Sequence, residues 1–196
     1  MKELAKNLAK KICLVNDITD SEKREIIAYG LEILLSTAVS VLIITILAIL
    51  LGTFWETILF LLSFMLLRTY SGGYHAQTHF RCFLILFFAF SINFMLNIFN
   101  INTTIIVFSA LASVFIILRY APVEDKNHPL SKKQKKNNRK ICLIMLSILL
   151  VVCIILFLNQ NNKALFNMVY GITITALSII AVKIKSKTGG VKNEKV

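Results

Sequence analysis

The stretch Arg68-Thr-Tyr-Ser-Gly72-Gly73-Tyr-His75-Ala-Gln-Thr-His79-Phe-Arg81-Cys82 separates two long apolar runs and contains two of the three histidines of the chain. Its adjacent glycines allow backbone conformations that other residues rarely adopt. Its cysteine stands where the next apolar run begins. A short polar segment between runs of this length predicts a connection at the edge of a lipid bilayer.

The composition around this stretch is that of a membrane protein. The 196 residues are 57% hydrophobic and have a mean hydropathy of +0.74, whereas soluble domains are about 45–50% apolar. The apolar residues are concentrated in runs of the length that crosses a bilayer. We therefore predict an all-α, polytopic membrane helical bundle that forms one integral membrane domain over residues 1–196.

Six transmembrane helices are predicted, preceded by an amphipathic region at residues 1–30. Met1 to Val15 has Leu4, Leu8 and Ile12 at helical spacing, opposite lysines, which is typical of a helix on a membrane surface. A second helix is predicted to begin near Asp20 and to continue towards the first span. The predicted bundle covers residues 31–182, with spans at 31–51, 54–67, 83–99, 103–118, 141–158 and 164–182. Residues 119–140 are predicted to form a basic loop, and residues 183–196 a basic tail without regular structure.

Residues 54–67 are few and include Glu56, so a re-entrant helix is the alternative to a second span. The charge distribution favours a full crossing. With six spans, 21 of the 22 lysines and arginines lie on one side of the membrane, and Lys163 lies on the other. The positive-inside rule then predicts a multi-pass protein of the cell membrane with both termini and the Arg68–Cys82 stretch in the cytoplasm. The same rule accounts for the net charge of +12, so no nucleic-acid partner is predicted.

Cys82 is the candidate nucleophile of the stretch. A thiol attacks as its thiolate, which nearby cations and a helix N-terminus stabilise. A histidine beside a cysteine can accept its proton and later protonate a leaving group. On one straight helix His79 would neighbour Cys82, whereas His75 would lie two turns away, about 10.5 Å along the axis. A bend after Gly73 would instead bring His75 to the sulfur, so spacing leaves the choice of base open.

Two other interpretations of these residues are open. The histidines and the cysteine could have no chemical role at the interface, or His75, His79 and Cys82 could bind a metal at positions i, i+4 and i+7 of a helix, with His128 as a distant fourth ligand. Ala76 stands where the HExxH motif of zinc proteases carries its general base. Cys142 and Cys153 lie within one apolar run and are expected to be structural. Asn93 lies about 16 Å along a helix from Cys82, so Asn93 and Asn97 are expected to face another helix rather than the thiol.

The motif Arg68-x3-Gly72-Gly73-x-His75-Ala76-x5-Cys82, together with Tyr120-Ala-Pro122, Pro129 and a lysine cluster, resembles the accessory gene regulator protein B (AgrB) family. Members are membrane cysteine endopeptidases that process the precursor of a cyclic quorum-sensing peptide in Gram-positive bacteria. The resemblance covers the charged N-terminal region, the six-span plan and the size. It implies that His75 and Cys82 are the catalytic pair, with Arg68, Gly72 and Gly73 in support and no cofactor.

The resemblance also implies partners for the chain. These are an AgrD-like peptide precursor, the lipid bilayer and a second copy of the chain in a homodimer. The reaction would release the C-terminal tail of the precursor, hold the peptide on Cys82 as a thioester, and let it close to a thiolactone or lactone. A small peptide exporter without proteolytic activity is the alternative outside the enzymes, and a His/Cys metal-dependent protease is the alternative within them.

A basic cluster follows the Pro129 segment: Lys132, Lys133, Lys135, Lys136, Arg139 and Lys140. One interpretation is that it fixes topology and attracts anionic lipids, at about 1 kcal/mol per basic residue near the surface. The other, which the resemblance implies, is that it docks an acidic precursor tail. We prefer the first interpretation from the residues alone.

Overall fold

The computed structural model describes residues 2–15, 20–72, 79–99, 101–123 and 131–191. Within these ranges the chain forms an all-α bundle, as the sequence predicts. Its helices are α1 Lys2–Val15, α2 Ser21–Leu50, α3 Phe54–Ser71, α4 His79–Ile98, α5 Thr103–Tyr120, α6 Lys132–Leu158 and α7 Asn162–Val191. The predicted start of the second helix near Asp20 agrees with α2, which continues without interruption into the first apolar run.

Each predicted span corresponds to one of the helices α2 to α7. The spans 31–51 and 83–99 each exceed the C-terminal end of their helix, α2 and α4, by one residue. Four of the described helices are long and apolar enough to cross a membrane: Lys23–Leu50, Thr103–Tyr120, Lys133–Leu158 and Asn162–Ile184. The apolar part of α4, Cys82–Ile98, is shorter, and α3 carries Glu56 and Arg68 within its 18 residues. The chain is therefore a helical membrane protein, while six crossings remain a prediction.

Helix α7 is the central element of the bundle. In the most apolar stretch of α7, 61% of the residues are buried inside the protein. The corresponding share in the other three long apolar helices is 17–22%. It packs on α3, α5 and α6 through one apolar cluster and on α3 and α4 through another. Gly171 makes the close contact with α3 possible, because an added Cβ would overlap Ser63 Oγ and lie 2.7 Å from the carbonyl oxygen of Phe60.

An aromatic layer joins α3, α4 and α7 near the middle of the bundle. The rings of Phe60 and Tyr170 have centroids 5.4 Å apart, and Tyr170 Oη donates a hydrogen bond of 2.9 Å to the carbonyl of Ala89. A buried tyrosine hydroxyl needs such a partner. Because α3 and α7 run in one direction and α4 in the other, this layer fixes which residues lie at the same depth.

Contacts between helix termini show which termini lie together at each end of the bundle. Gly72 pairs with Val123 in a parallel β-bridge that joins the C-terminal ends of α3 and α5. Lys183 Nζ of α7 lies 3.3 Å from the centroid of the Tyr120 ring. We call this the basic end, since α3, α5 and α7 all bring a lysine or arginine to it. The opposite end contains the α4–α5 and α6–α7 connections, with Lys163.

Two sequence predictions about non-helical segments are wrong. Lys132–Lys140 belongs to α6, although we predicted a loop over residues 119–140. Lysine, arginine and glutamine are good helix formers, and Ser131 with Gln134 forms a capping box in which each side chain bonds the other residue's backbone N–H. Helix α7 likewise continues through Lys183 to Val191, where we predicted a tail without regular structure.

The N-terminal helix α1 is amphipathic as predicted. It packs against α2, and its buried residues are the small side chains Ala5, Ala9 and Cys13. Its larger apolar side chains, Leu4 and Ile12 among them, are exposed. The apolar face that the sequence assigns to the bilayer is therefore left open by the protein.

Candidate active site

Cys82 is the fourth residue of α4 and is half-buried at the basic end of the bundle. Its thiol forms no disulfide. Position 82 lies in the first helical turn, where unpaired backbone N–H groups and the helix dipole favour a negative charge. The helix therefore begins as the sequence predicts, with the cysteine at its N-terminus.

The histidines have different places relative to this turn. His79 is the first residue of α4, one turn before Cys82, and only its backbone is described. His75 and Gly73 lie at residues 73–78, outside the described residues, as does His128. Helix α3 ends at Ser71 and α4 begins at His79. The choice between His75 and His79, and the metal interpretation that needs His75, therefore lie outside the described residues. The described residues themselves contain no cluster of three potential metal ligands.

Gly72 is held against the segment that follows α5. Val123 N donates a hydrogen bond of 2.9 Å to the carbonyl of Ser71. The residue Ser71 is fully buried. Gly72 has φ +70°, a left-handed conformation that favours glycine. A Cβ added to Gly72 would overlap the carbonyl oxygen of Val123. The chain therefore enters the connection to α4 from a fixed position, and only glycine fits there.

Cations surround this junction. Arg68 lies in the last turn of α3, with its guanidinium carbon 5.2 Å from the centroid of the Phe64 ring. Arg119 and Lys183 both approach the ring of Tyr120, at 5.7 and 3.3 Å from its centroid. The C-terminal ends of α3, α5 and α7 thus each bring a cation to the basic end, where α4 begins. The sequence singled out Tyr120 only through family resemblance, and Lys183 carried no signal beyond its charge.

Asn93 and Asn97 do not approach the cysteine, as the sequence predicts. Asn97 Nδ2 donates to Asn93 Oδ1 at 3.1 Å and to Asn167 Oδ1 at 3.1 Å, and Asn167 Nδ2 donates back to Asn97 Oδ1 at 2.9 Å. Asn93 and Asn167 are buried. This network joins α4 to α7 in the half of the bundle away from Cys82. Asn167 was missed, although an asparagine inside an apolar run is a signal for contact between helices.

The basic cluster occupies the first turns of α6. Lys133, Lys135, Lys136, Arg139 and Lys140 are exposed, and of Lys132 only the backbone is described. As part of a helix the cluster has a fixed direction, extending α6 beyond its apolar part. Both interpretations of the cluster, lipid attraction and precursor docking, fit an exposed helical extension.

A comparison with known families decides the relationship. The family model described as Accessory gene regulator B matches residues 1–182. This chain belongs to the AgrB family. Similar proteins include a putative AgrB-like protein of Clostridium perfringens strain SM101, 34% identical and covering 71% of each chain. Putative AgrB-like protein 2 of C. perfringens strain 13 is 30% identical over 78% of this chain and 79% of its own length.

Relatives also occur in another genus. The accessory gene regulator protein B of Staphylococcus aureus strain MRSA252 is 29% identical over 78% of this chain and 80% of its own length. No solved structure matches the chain. The resemblance predicted from the glycine pair, histidine and cysteine is thus confirmed, and AgrB membership assigns the chain to the accessory gene regulator system.

Proposed function

We propose that this AgrB family member is a membrane cysteine endopeptidase that processes the precursor of a cyclic signal peptide, with Cys82 as nucleophile and His75 as general base. The observation that carries the proposal is the position of Cys82. It is a half-buried thiol in the first turn of a helix, at a cation-rich end of a membrane bundle. Family membership supports the choice of a peptide precursor as substrate.

The first step is acyl transfer to the enzyme. The Cys82 thiolate attacks the carbonyl carbon at the C-terminal end of the future ring, after His75 has taken the thiol proton. The carbon–nitrogen bond breaks, and His75 returns the proton to the departing amine. The C-terminal tail leaves with a free amino group, and the peptide remains attached to Cys82 as a thioester.

The second step closes the ring. A thiol or hydroxyl of the peptide attacks the thioester carbonyl, a thiolactone or lactone forms, and Cys82 leaves as a thiolate that regains a proton. No water is consumed, so the free energy of the peptide bond is partly conserved in the product. Hydrolysis competes with this step, and the partial burial of Cys82 limits the access of water.

The support for His75 over His79 is the AgrB motif, in which the histidine stands seven residues before the cysteine. Ser71 and Gly72 precede this histidine and are fixed by Val123, so the connecting segment starts from a defined point. Arg68, Gly72 and Gly73 then act as supporting residues, and the positive charge of Arg68 favours anionic groups at the site.

Separate substitution of the two histidines tests the assignment of the base. We expect His75→Ala and Cys82→Ser each to abolish cleavage of the co-expressed precursor while membrane levels stay normal. His79→Ala should retain cleavage, and Cys142→Ala and Cys153→Ala serve as controls for the loss of a thiol. An inactive His79→Ala beside an active His75→Ala would transfer the base role to His79.

The other candidate functions give different results in the same assay. A metal-dependent protease would lose cleavage when a chelator is added, whereas a thiol protease keeps it and is inactivated by iodoacetamide. An exporter without proteolytic activity would leave the precursor intact in all variants. We expect Cys82→Ser to lose cleavage, and we expect the unsubstituted protein to keep cleaving when a chelator is added.

A further inference from the structure

A cavity of about 330 Å³ opens at the end of the bundle opposite Cys82, between the α4–α5 connection and the start of α7. Its polar wall comes from Asn97, Asn102, Thr103, Asn162 and Lys163, and Leu96, Ile101 and Phe166 form an apolar wall. None of the proposed peptidase chemistry uses these residues. The cavity therefore calls for a separate account.

The polar wall is electrostatically positive. Lys163 is the only lysine or arginine of the chain between Lys140 and Lys183, and it forms no ion pair with any described residue. No acidic residue lines the cavity. Asn97 has its amide occupied by Asn93 and Asn167, and Asn102 Oδ1 accepts from Thr104 N at 3.0 Å. The ammonium of Lys163 is therefore the one charged group among the described residues on the wall of the cavity.

Two helix N-termini strengthen this potential. Helices α5 and α7 begin at Thr103 and Asn162, and both residues line the cavity. The last turn of α4, with Leu96 and Asn97, brings one negative dipole end to the same cavity. The two positive ends and the ammonium of Lys163 outweigh it, which favours an anionic group.

The depth of the cavity identifies the kind of anion. Helix α5 has 18 residues, about 27 Å at 1.5 Å per residue, which roughly equals the ~30 Å hydrocarbon core. When α5 crosses the bilayer, Thr103 and Lys163 therefore lie at the level of the lipid phosphates. An apolar wall beside a cationic, polar wall matches a headgroup with the start of its acyl chains.

We propose that this cavity binds the headgroup phosphate of an anionic phospholipid, with Lys163 as its principal contact. A lipid with net negative charge fits better than a zwitterionic one, because the amine of a zwitterionic headgroup would face the ammonium of Lys163. Bound there, the lipid bridges the α4–α5 connection and the N-terminus of α7, the central helix. The proposal is independent of the peptidase function.

A fluorescent reporter beside the cavity tests the proposal in reconstituted bilayers. The only tryptophan, Trp55, is replaced by phenylalanine, and Ile101→Trp sets a reporter in the cavity wall. Quenching by brominated phosphatidylglycerol and by brominated phosphatidylcholine then gives the relative affinity of the two lipids at that point. The matched control is Leu158→Trp in the same background, since Leu158 is exposed at the same end and does not line the cavity.

We expect the Ile101→Trp reporter to prefer phosphatidylglycerol about fivefold, the effect of roughly one basic residue at a lipid surface. Lys163→Gln should remove the preference, Lys163→Arg should keep it, and added salt should weaken it. The Leu158→Trp reporter should show no preference.

Equal quenching by both lipids at position 101, or a preference that survives Lys163→Gln, would overturn the proposal. A response of the reporter to inorganic phosphate in pure phosphatidylcholine, without any preference for phosphatidylglycerol, would also overturn it, since the cavity would then bind a free anion. If Lys163→Gln fails to reconstitute, the reporter protein with native Lys163 decides the question: a preference for phosphatidylglycerol that salt does not weaken would overturn the proposal.

Discussion

Gly72 and Gly52 have nearly the same backbone conformation, with φ +70° and +68°, but different surroundings. A Cβ on Gly52 would meet nothing within 4 Å, whereas a Cβ on Gly72 would overlap the carbonyl of Val123. Substituting Gly52 therefore tests the effect of backbone strain alone, whereas substituting Gly72 adds the disruption of the contact with Val123. Only the contact at Gly72 bears on the connection that carries His75.

We expect Gly72→Ala to lower precursor cleavage about a hundredfold, because a displacement of about 1 Å at a catalytic group can have that effect. Gly52→Ala adds the same left-handed strain, about 1–2 kcal/mol, and should leave cleavage unchanged. Cleavage is measured at equal membrane levels of the two variants. Equal loss in both variants would mean that strain alone matters, and full activity of Gly72→Ala would contradict the role of the junction.

The sequence predicted the position of Cys82 in the fold, while the choice of the base stays a prediction. Cys82 stands at the boundary between a polar stretch and an apolar run, so its place at a helix N-terminus follows from hydropathy alone. The base depends on where α4 begins, and the paired glycines allow several starting points. The contact between Gly72 and Val123 links residues 51 positions apart, which no local pattern encodes.

At the scale of the helix, Gly171 and Gly30 form a second contrast. Both are helical glycines, but a Cβ on Gly171 would overlap Ser63 Oγ, while one on Gly30 would meet nothing within 4 Å. Gly171 therefore sets the spacing of α3 and α7, the pair with the most extensive contact in the bundle.

We expect Gly171→Ala to destabilise the protein by about 1–3 kcal/mol, the usual effect of overpacking. Gly30→Ala should be neutral or stabilising by up to about 1 kcal/mol, the difference in helix propensity. Thermal unfolding in detergent, followed by helical circular dichroism, measures both variants. A Gly171→Ala protein as stable as Gly30→Ala would show that α3 and α7 do not approach each other so closely.

Helix bounds show what hydropathy can and cannot predict. Each apolar run predicted one of the helices α2 to α7, because burial in lipid requires apolar side chains. Helices α6 and α7 extend beyond their runs at the basic end, since lysine-rich segments form helices in water as well. The capping box at Ser131 and Gln134 is a local signal that would have corrected the prediction for α6.

At the scale of the whole molecule, the membrane orientation is the prediction with the widest consequences. Cysteine labelling tests it in a background without the four native cysteines, using Gln160→Cys at the α6–α7 connection and Lys133→Cys at the basic end. With six crossings and a cytoplasmic basic end, a membrane-impermeant maleimide should label position 160 in intact cells. It should label position 133 only after permeabilisation.

The reverse labelling pattern would contradict the predicted topology, because either α3 does not cross the bilayer or the six-span bundle has the opposite orientation. The contacts of α3 support a crossing, because α3 packs along α7, a helix long enough to span the bilayer, with Phe60 against Tyr170 and Ser63 against Gly171. The orientation of the membrane domain therefore depends on the packing of α3 against α7.

The central claim is that Cys82 carries the peptide as a thioester, and the mass of the intact protein tests it most directly. Purified protein is mixed with the precursor, quenched with acid within the first turnover, and analysed by mass spectrometry. We predict an added mass equal to the precursor without its C-terminal tail, located on Cys82 and removed by hydroxylamine. Release of the tail while Cys82 remains unmodified at every time point would contradict the account.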